Sequence, residues 1–158
     1  MPQTVLIING PNLGNLGKRE PDIYGTQGMD YVFAEISKKG CKAEYFQSNH
    51  EGQIIDRLEQ ARTEFLDGKI IGIIINAGAF THTSLALADC LSWIKVPYAE
   101  VHISNILARA GSAKSEADTL RGKSLIAAPS LGIIAGFGLD SYILAVEALM
   151  RYKAKNSI

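Results

Sequence analysis

The sequence predicts an α/β fold in which a doubly wound parallel sheet of five strands is covered by helices on both faces. Strand-like and helix-like segments alternate along the 158 residues, which is the pattern of consecutive βα units. The run at residues 70–75 is almost pure isoleucine, as expected for a strand that is buried on both faces. Five strands in such a sheet favour the flavodoxin-like strand order 2-1-3-4-5.

Apolar runs predict the strands and helical periodicity predicts the helices. Gly40 ends the first helix as a C-terminal glycine does, and Thr83 or Ser84 lies near the N-cap of the third. The predicted helices cover residues 29–38, 51–66, 83–94 and 140–153. The predicted strands cover residues 4–9, 41–47, 70–75, 97 to about 103 and 132–137, and residues 125–128 compete for the role of the fifth strand.

The composition is that of an ordinary globular protein and excludes several classes. Lys plus Arg and Asp plus Glu each number 16, so no basic excess favours a nucleic-acid partner. No apolar run approaches the roughly 18 residues of a membrane span, and the first residues lack the charged region of a signal peptide. Cys41 and Cys90 stand alone in apolar surroundings, which is typical of reduced core thiols. We therefore expect a single domain over residues 1–158 in the cytoplasm.

A long irregular segment follows the first strand, at residues 9–25. It is rich in Gly, Pro, Asn and charge, and such a segment inside a compact domain is usually a functional loop. Its first half contains a tight Gly-Pro turn that presents Asn12 at the end of the strand. Its second half, residues 18–25 with Arg19 and Tyr24, is expected to act as a lid that becomes ordered over a bound ligand.

Polar residues follow each of the first four strands, and ligands of open parallel sheets bind beyond these carboxyl ends. Glu100 and His102 lie two apart on one strand, so both point to the same face. There a carboxylate can orient an imidazole and favour its protonated form. A lone strand histidine is more often a hydrogen-bonded core residue, but the set as a whole favours a binding site. Its other members are Asn9, Asn12, residues 47–50, Asn76, residues 81–84, Ser104, Asn105 and Arg109.

Several familiar motifs are incomplete in this chain. Gly122-Lys123-Ser124 lacks the earlier glycine of a phosphate loop, because Ala117 stands there, and residues 128–132 form only a degenerate nucleophile elbow. The three histidines have no metal-ligand spacing. A flavin-binding module would need a Thr/Ser-rich loop after the first strand. A signalling receiver would need an aspartate where Asn76 ends the third strand. Both alternatives are disfavoured.

Five ordered stretches of the chain resemble the type II 3-dehydroquinate dehydratases over nearly the whole length. Such a combination is far more specific than any single short motif. The resemblance implies the flavodoxin-like fold, no metal or cofactor, and a homododecamer of four trimers. The stretches are Asn9-Gly10-Pro11-Asn12-Leu13 with residues 16–25, residues 47–52, residues 75–84, residues 100–105 and the glycine-rich residues 132–138.

The resemblance implies that the substrate is 3-dehydroquinate and that water leaves by anti elimination through an enolate, giving 3-dehydroshikimate. Tyr24 would be the base that removes the proton next to the ketone. A free phenol, with a pKa near 10, is a poor base at neutral pH. The charges of Arg19 and Arg109 would therefore stabilise the phenolate. Asn12 would stabilise the enolate oxygen through a held water, in the manner of an oxyanion site.

The resemblance also assigns the acid and the substrate contacts. His102 would protonate the departing hydroxyl, and Glu100 would orient it. The substrate carboxylate and hydroxyls would contact Asn76, His82, Ser104 and the backbone of Ile103.

The chain departs from the family pattern after Arg109. The acidic pair and the Phe-Arg that usually follow are absent, and residues 110–118 intervene as an expected exposed insertion. Leu120-Arg121-Gly122-Lys123-Ser124 fits the displaced element, and the resemblance thus assigns to Arg121 the role of the family's second arginine, which contacts substrate hydroxyls. Asp89 matches the acid that reaches a neighbouring subunit's site. The sequence leaves open whether the reaction serves aromatic biosynthesis or quinate breakdown.

Overall fold

The computed structural model describes residues 2–18, 22, 26–112 and 114–156, except for the side chains of Arg109 and Ala110. In that part of the chain five parallel strands form one sheet in the order β2-β1-β3-β4-β5, which confirms the predicted order. The fifth strand lies within residues 132–137, so the alternative at 125–128 is wrong. The strands are β1 (Gln3–Asn9), β2 (Cys41–Gln47), β3 (Ile73–Asn76), β4 (Tyr98–His102) and β5 (Gly132–Ala135).

Helices connect successive strands and cover both faces of the sheet. A 3-10 turn at Leu13–Asn15 follows β1. None of the helices in the described part of the chain is both long and apolar enough to cross a membrane. The helices are α1 (Met29–Lys38), α2 (Glu51–Leu66), α3 (Phe80–Thr83), α4 (Leu85–Ile94), α5 (Ile106–Gly111), α6 (Glu116–Leu120) and α7 (Asp140–Asn156).

The helix predicted over residues 83–94 is interrupted at Ser84. This residue has extended backbone angles, and its Oγ accepts a hydrogen bond from the Leu87 backbone N–H at 2.9 Å. Ser84 is therefore the N-cap of α4, as one of the two predicted caps. The single turn of α3 that precedes it was not predicted, because four residues are too few to show a helical period.

Successive residues of the strands point into two hydrophobic cores on opposite faces of the sheet. Val5 and Ile7 pack with residues of α1 and α7, whereas Leu6 and Ile8 pack with residues of α2 and α4. Alternate side chains of a strand point to opposite faces, so a continuous apolar run is buried on both. This burial fixes the register in which the strand ends, and the polar residues that follow them, meet.

The polar segment at residues 110–118 contains the end of α5 and the start of α6. Ser115 is the N-cap of α6, since its Oγ accepts a hydrogen bond from the Asp118 backbone N–H at 3.1 Å. Lys114, Ser115 and Glu116 are exposed. In the described residues, the first part of the connection after β4 therefore contains two short helices, and Arg121 follows directly after α6.

Candidate active site

The register of the sheet aligns three amide side chains at one edge. Asn9 at the end of β1 pairs in register with Gln47 of β2 and with Asn76 of β3. Glu100 pairs with Ile75, one position earlier on β3, so that His102 extends beyond the same edge. The gathering of polar residues at the carboxyl ends of the strands therefore follows from strand pairing.

A cavity of about 400 Å³ lies at this edge of the sheet. Its size is within the range of small-molecule sites. Its walls come from the loop after β1, the ends of β3 and β4, and the α6 region. The polar lining residues include Asn12, Asn76, His82, Thr83, His102, Ser104 and Arg121, and none of the described lining residues is an aspartate or glutamate.

Glu100 and His102 form a buried pair at the wall of this cavity. The His102 Nε2 and Glu100 Oε1 atoms are 2.5 Å apart, and the Glu100 side chain is fully buried. The second oxygen, Oε2, accepts a hydrogen bond from Ser124 Oγ at 2.8 Å. Because a carboxylate only accepts, Nε2 of the ring carries the hydrogen and Nδ1 is the remaining ring nitrogen. Both oxygens of the Glu100 carboxylate therefore have a hydrogen-bond partner. Burying the carboxylate without such partners would be costly.

A second buried network fixes the amide of Asn76. The Tyr142 hydroxyl of α7 accepts a hydrogen bond from Asn76 Nδ2 at 2.9 Å and donates one to Asn9 Oδ1 at 2.7 Å. Asn76 Oδ1 accepts a hydrogen bond from the Gly78 backbone N–H at 3.2 Å. Burial raises the pKa of Tyr142 well above its usual range, so its hydroxyl keeps its proton. The network orients the side chain of Asn76 at the cavity.

The loop after β1 is held close to the loop after β3. A Cβ on Gly10 would lie 2.3 Å from the Ala77 carbonyl oxygen, so only glycine allows this approach. The Gly10 N–H donates to the Asn76 carbonyl at 2.7 Å. Asn12 has a left-handed backbone, with φ of 66°, and its N–H donates to Asn49 Oδ1 at 3.0 Å. The loop therefore places Asn12 at the cavity with support from the residues after β2.

His82 is fixed by the segment that follows α6. Its Nδ1 lies 2.5 Å from the Lys123 carbonyl oxygen, and a carbonyl only accepts, so Nδ1 carries the hydrogen. The His82 and His102 rings are nearly parallel, with centroids 6.5 Å apart. Two imidazoles from different elements thus line the same cavity. Among the described residues, no group of three or more His, Cys, Asp or Glu side chains could hold a metal ion.

Comparison with known proteins identifies the family. The model of the dehydroquinase class II family matches residues 3–150. The chain belongs to this family. The 3-dehydroquinate dehydratase of Caldicellulosiruptor saccharolyticus is 48% identical over 149 residues, covering 92% of this chain and 94% of the relative. That of Rhizobium johnstonii is 44% identical over 158 residues, covering 98% of this chain and 100% of the relative.

Solved structures agree with this assignment. The crystal structure of the type II dehydroquinase from Butyrivibrio crossotus superposes with a TM-score of 0.79 at 37% identity, and covers 94% of this chain and 97% of that one. The expectation of a type II dehydroquinase, an enzyme of the hydro-lyase class with a flavodoxin-like sheet, is confirmed at the level of the family.

Most of the residues assigned by the dehydroquinase resemblance lie together. Glu100 lies directly behind His102. Asp89 is exposed on α4 and is not among the lining residues. Arg109 belongs to α5, but its side chain lies outside the described residues. Arg19 and Tyr24 lie outside the described residues entirely. The assigned residues that do line the cavity are Asn12, Asn76, His82, His102, Ile103, Ser104 and Arg121.

Three supporting residues were not predicted from the sequence. Tyr142 lies in the apolar stripe of a helix and looks like an ordinary core residue. Ser124 was noted within an incomplete phosphate-loop motif and at the end of the element that carries Arg121, but its contact with Glu100 was not predicted. Asn49 was noted in the polar run after β2, but its contact with the loop after β1 was not predicted. All three contact residues distant in sequence, and a single sequence carries no direct signal of such contacts.

Proposed function

We propose that the chain dehydrates 3-dehydroquinate to 3-dehydroshikimate in the shikimate pathway, by anti elimination of water through an enolate. The observation that carries this proposal is the buried Glu100–His102 pair at the wall of a cavity of small-molecule size. The cavity lining combines an arginine with amides, hydroxyls and imidazoles and, among its described residues, has no acid. Such a lining suits a small anion that carries several hydroxyls.

In the first half of the reaction Tyr24 removes the proton next to the ketone. The electron pair of the broken C–H bond moves onto the ketone oxygen and gives an enolate. Arg19 and Arg109 favour the phenolate of Tyr24 by their charge, so that a phenol can act as a base near neutral pH. Asn12 stabilises the enolate oxygen through a held water. The position of Asn12 in the cavity lining supports its part of this assignment.

In the second half the enolate reforms the ketone, and its electron pair forms the new C=C bond as the C–O bond breaks. His102 gives a proton to the departing hydroxyl, which leaves as water. Glu100 holds the ring by accepting from Nε2, which makes Nδ1 the nitrogen that delivers the proton.

The substrate is held by the remaining lining residues. Arg121 donates guanidinium N–H groups to the substrate hydroxyls, and its positive charge suits an anionic substrate. The amide of Asn76, the ring of His82, the hydroxyl of Ser104 and the backbone of Ile103 contact the carboxylate and hydroxyls.

The active protein is proposed to be a cytoplasmic homododecamer of four trimers in which Asp89 reaches a neighbouring subunit's site. Asp89 lies between Leu85 and Trp93 at intervals of four residues, so the three share one face of α4. Leu85 is 68% exposed and Trp93 is 51% exposed. Two large apolar side chains on either side of a carboxylate give this face the character of a subunit contact.

The Tyr24→Phe variant tests the mechanism. Turnover is followed by the near-ultraviolet absorbance of the conjugated enone product. The variant is expected to lose at least about 10²-fold in kcat while it still binds substrate, because only the ionisable oxygen is removed. If the folded wild-type protein gave no enone from 3-dehydroquinate, the proposed activity would be wrong.

Tyr31→Phe is the matched control for this variant. It also removes one phenolic oxygen, which donates to Asp140 at 2.8 Å on the surface and does not line the cavity. We expect this control to keep wild-type turnover. Near-normal kcat in Tyr24→Phe would show that Tyr24 is not the base.

A further inference from the structure

The segment Lys123 to Ile126 is fastened to both elements that carry the cavity histidines. The Lys123 carbonyl contacts the His82 ring, and the Leu125 N–H donates to the Thr81 carbonyl at 2.9 Å. Ile126 is fully buried, and its carbonyl accepts a hydrogen bond from the Tyr98 hydroxyl of β4. These contacts on either side of Ser124 set where its side chain can lie.

Ser124 bridges this segment to the buried carboxylate. Its Oγ donates to Glu100 Oε2 at 2.8 Å and accepts a hydrogen bond from the Ile126 N–H at 3.2 Å. The hydroxyl hydrogen is therefore directed at the carboxylate, while a lone pair is used by the segment's own backbone. The opposite oxygen of the same carboxylate contacts His102. Ser124, Glu100 and His102 form one hydrogen-bonded chain.

We propose that Ser124 is a positioning residue for the acid His102 and acts through Glu100; this inference rests on the proposed function. A carboxyl group turns about a single bond, and a fully buried one has no water to satisfy a free oxygen. The hydroxyl occupies Oε2 and thereby leaves Oε1 facing the ring. Without the Ser124 hydroxyl, Glu100 Oε2 has no hydrogen-bond partner and the carboxylate is free to rotate. The His102 imidazole then loses its fixed orientation.

This role predicts a specific kinetic signature. Ser124 is not among the described lining residues, so its loss leaves substrate contacts unchanged. Proton delivery depends on the orientation of the His102 ring, so the loss of the Ser124 hydroxyl lowers kcat. We expect the misoriented ring to lower kcat by about 5- to 50-fold, with KM within about twofold of the wild-type value.

The experiment compares Ser124→Ala with Ser124→Thr and with a matched serine control. Threonine keeps the hydroxyl and should restore most of kcat. Ser130→Ala removes a hydroxyl from the next turn that donates to the Ala127 carbonyl at 2.7 Å and not to Glu100, so it should leave kcat unchanged. Equal losses in the alanine and threonine variants, or a rise in KM without a fall in kcat, would overturn the proposal.

A double-mutant cycle tests whether Ser124 acts through Glu100. In a Glu100→Ala background, Ser124→Ala should cost less than twofold in kcat, because the group through which Ser124 acts is already gone. Full additivity of the two losses would contradict the proposal. Thermal unfolding of each variant shows whether the measured protein is folded.

A measurement on ligand-free protein keeps this inference separate from the proposed reaction. The ring N–H proton that His102 donates to Glu100 gives a proton magnetic resonance signal, identified by its disappearance in His102→Asn. We expect Ser124→Ala to shift it, Ser124→Thr to restore it and Ser130→Ala to leave it in place. An unmoved signal in Ser124→Ala would refute the positioning role whether or not the protein turns over 3-dehydroquinate.

Discussion

The two sides of the cavity hold their polar groups in different ways. On the strand-end side, formed by Asn76, Glu100 and His102, every side chain is buried and bonded to another buried or half-buried side chain. On the helical side, formed by α6 and Arg121, all side chains except the half-buried Asp118 are exposed, and the hydrogen bonds of Asp118 and Thr119 are made to neighbouring residues. The first side is fixed by the packing of the whole domain, whereas the second depends on a few residues of its own.

This difference matches what each side is proposed to do. A proton transfer needs donor and acceptor placed to within a fraction of an ångström, and rigid strand ends provide such placement. A contact between a guanidinium and a substrate hydroxyl tolerates more variation in position. The chain can therefore carry Arg121 on two short exposed helices that depart from the family pattern, while the strand-end side keeps its buried networks.

Breaking the strand-end side should have the largest effect on stability. In Tyr142→Phe, Asn9 Oδ1 and Asn76 Nδ2 each lose a buried hydrogen-bond partner. We expect the free energy of unfolding, measured by urea denaturation, to fall by about 2–4 kcal/mol. Turnover should fall as well, because the Asn76 amide is no longer oriented. Tyr31→Phe, which removes an exposed hydroxyl, should change stability by less than about 1 kcal/mol; equal losses in the two variants would contradict the comparison.

The same variant has a predictable pH dependence. Burial raises the pKa of Tyr142 above that of an unfolded tyrosine, which is near 10. As pH rises above about 10, the unfolded chain loses this proton first, so stability present below that pH is lost above it. Tyr142→Phe should therefore flatten the alkaline decline of stability. Burial also raises the pKa of Tyr45 and Tyr98, so some decline should remain.

Much of the strand-end side could be predicted from the sequence, because its causes are local. The isoleucine run predicted a buried strand, and the spacing of two between Glu100 and His102 placed both side chains on one face. Tyr142 could not be found in this way, since it contacts residues 66 and 133 positions away and has the helical spacing of a core residue. The turn α3 was missed because a single turn has no measurable period.

On the helical side, the sequence predicted the functional residue Arg121 but not the helices around it. The assignment of Arg121 came from the family resemblance, and Arg121 does lie at the cavity. The helices around it were not predicted, because the small polar residues at 110–118 have weak helical periodicity. The sequence signal for the N-cap of α6 is weak, because it consists only of Ser115 three residues before Asp118.

Removing the charge on the helical side should change binding without changing stability. In Arg121→Ala the substrate loses a charge-assisted contact, and we expect KM to rise about 10- to 100-fold with a smaller change in kcat. The free energy of unfolding should stay within about 0.5 kcal/mol, because the side chain is exposed. Lys123→Ala, in which a nearby exposed cation is removed but its carbonyl contact kept, should leave KM unchanged. Unchanged KM and kcat in Arg121→Ala would show that the arginine of this family lies elsewhere in the chain.

The smallest effect should come from loosening the helix that precedes Arg121. Ser115→Ala removes the N-cap of α6, which is worth about 1 kcal/mol to a helix, so KM should rise about two- to fivefold while kcat and global stability hold. Ser112→Ala is the control, since that hydroxyl donates to the Ala108 carbonyl of α5 and caps nothing in α6. The Lys114 N–H and the Ser115 hydroxyl lower the pKa of Asp118 below that of an unfolded aspartate, which is about 4. The contribution of the Asp118 carboxylate to the stability of α6 is therefore present above about pH 4 and is lost as the pH falls through the lowered pKa. An effect on kcat as large as that of Ser124→Ala would mean that the helical side positions the proton transfer too, and the two sides would not differ in role.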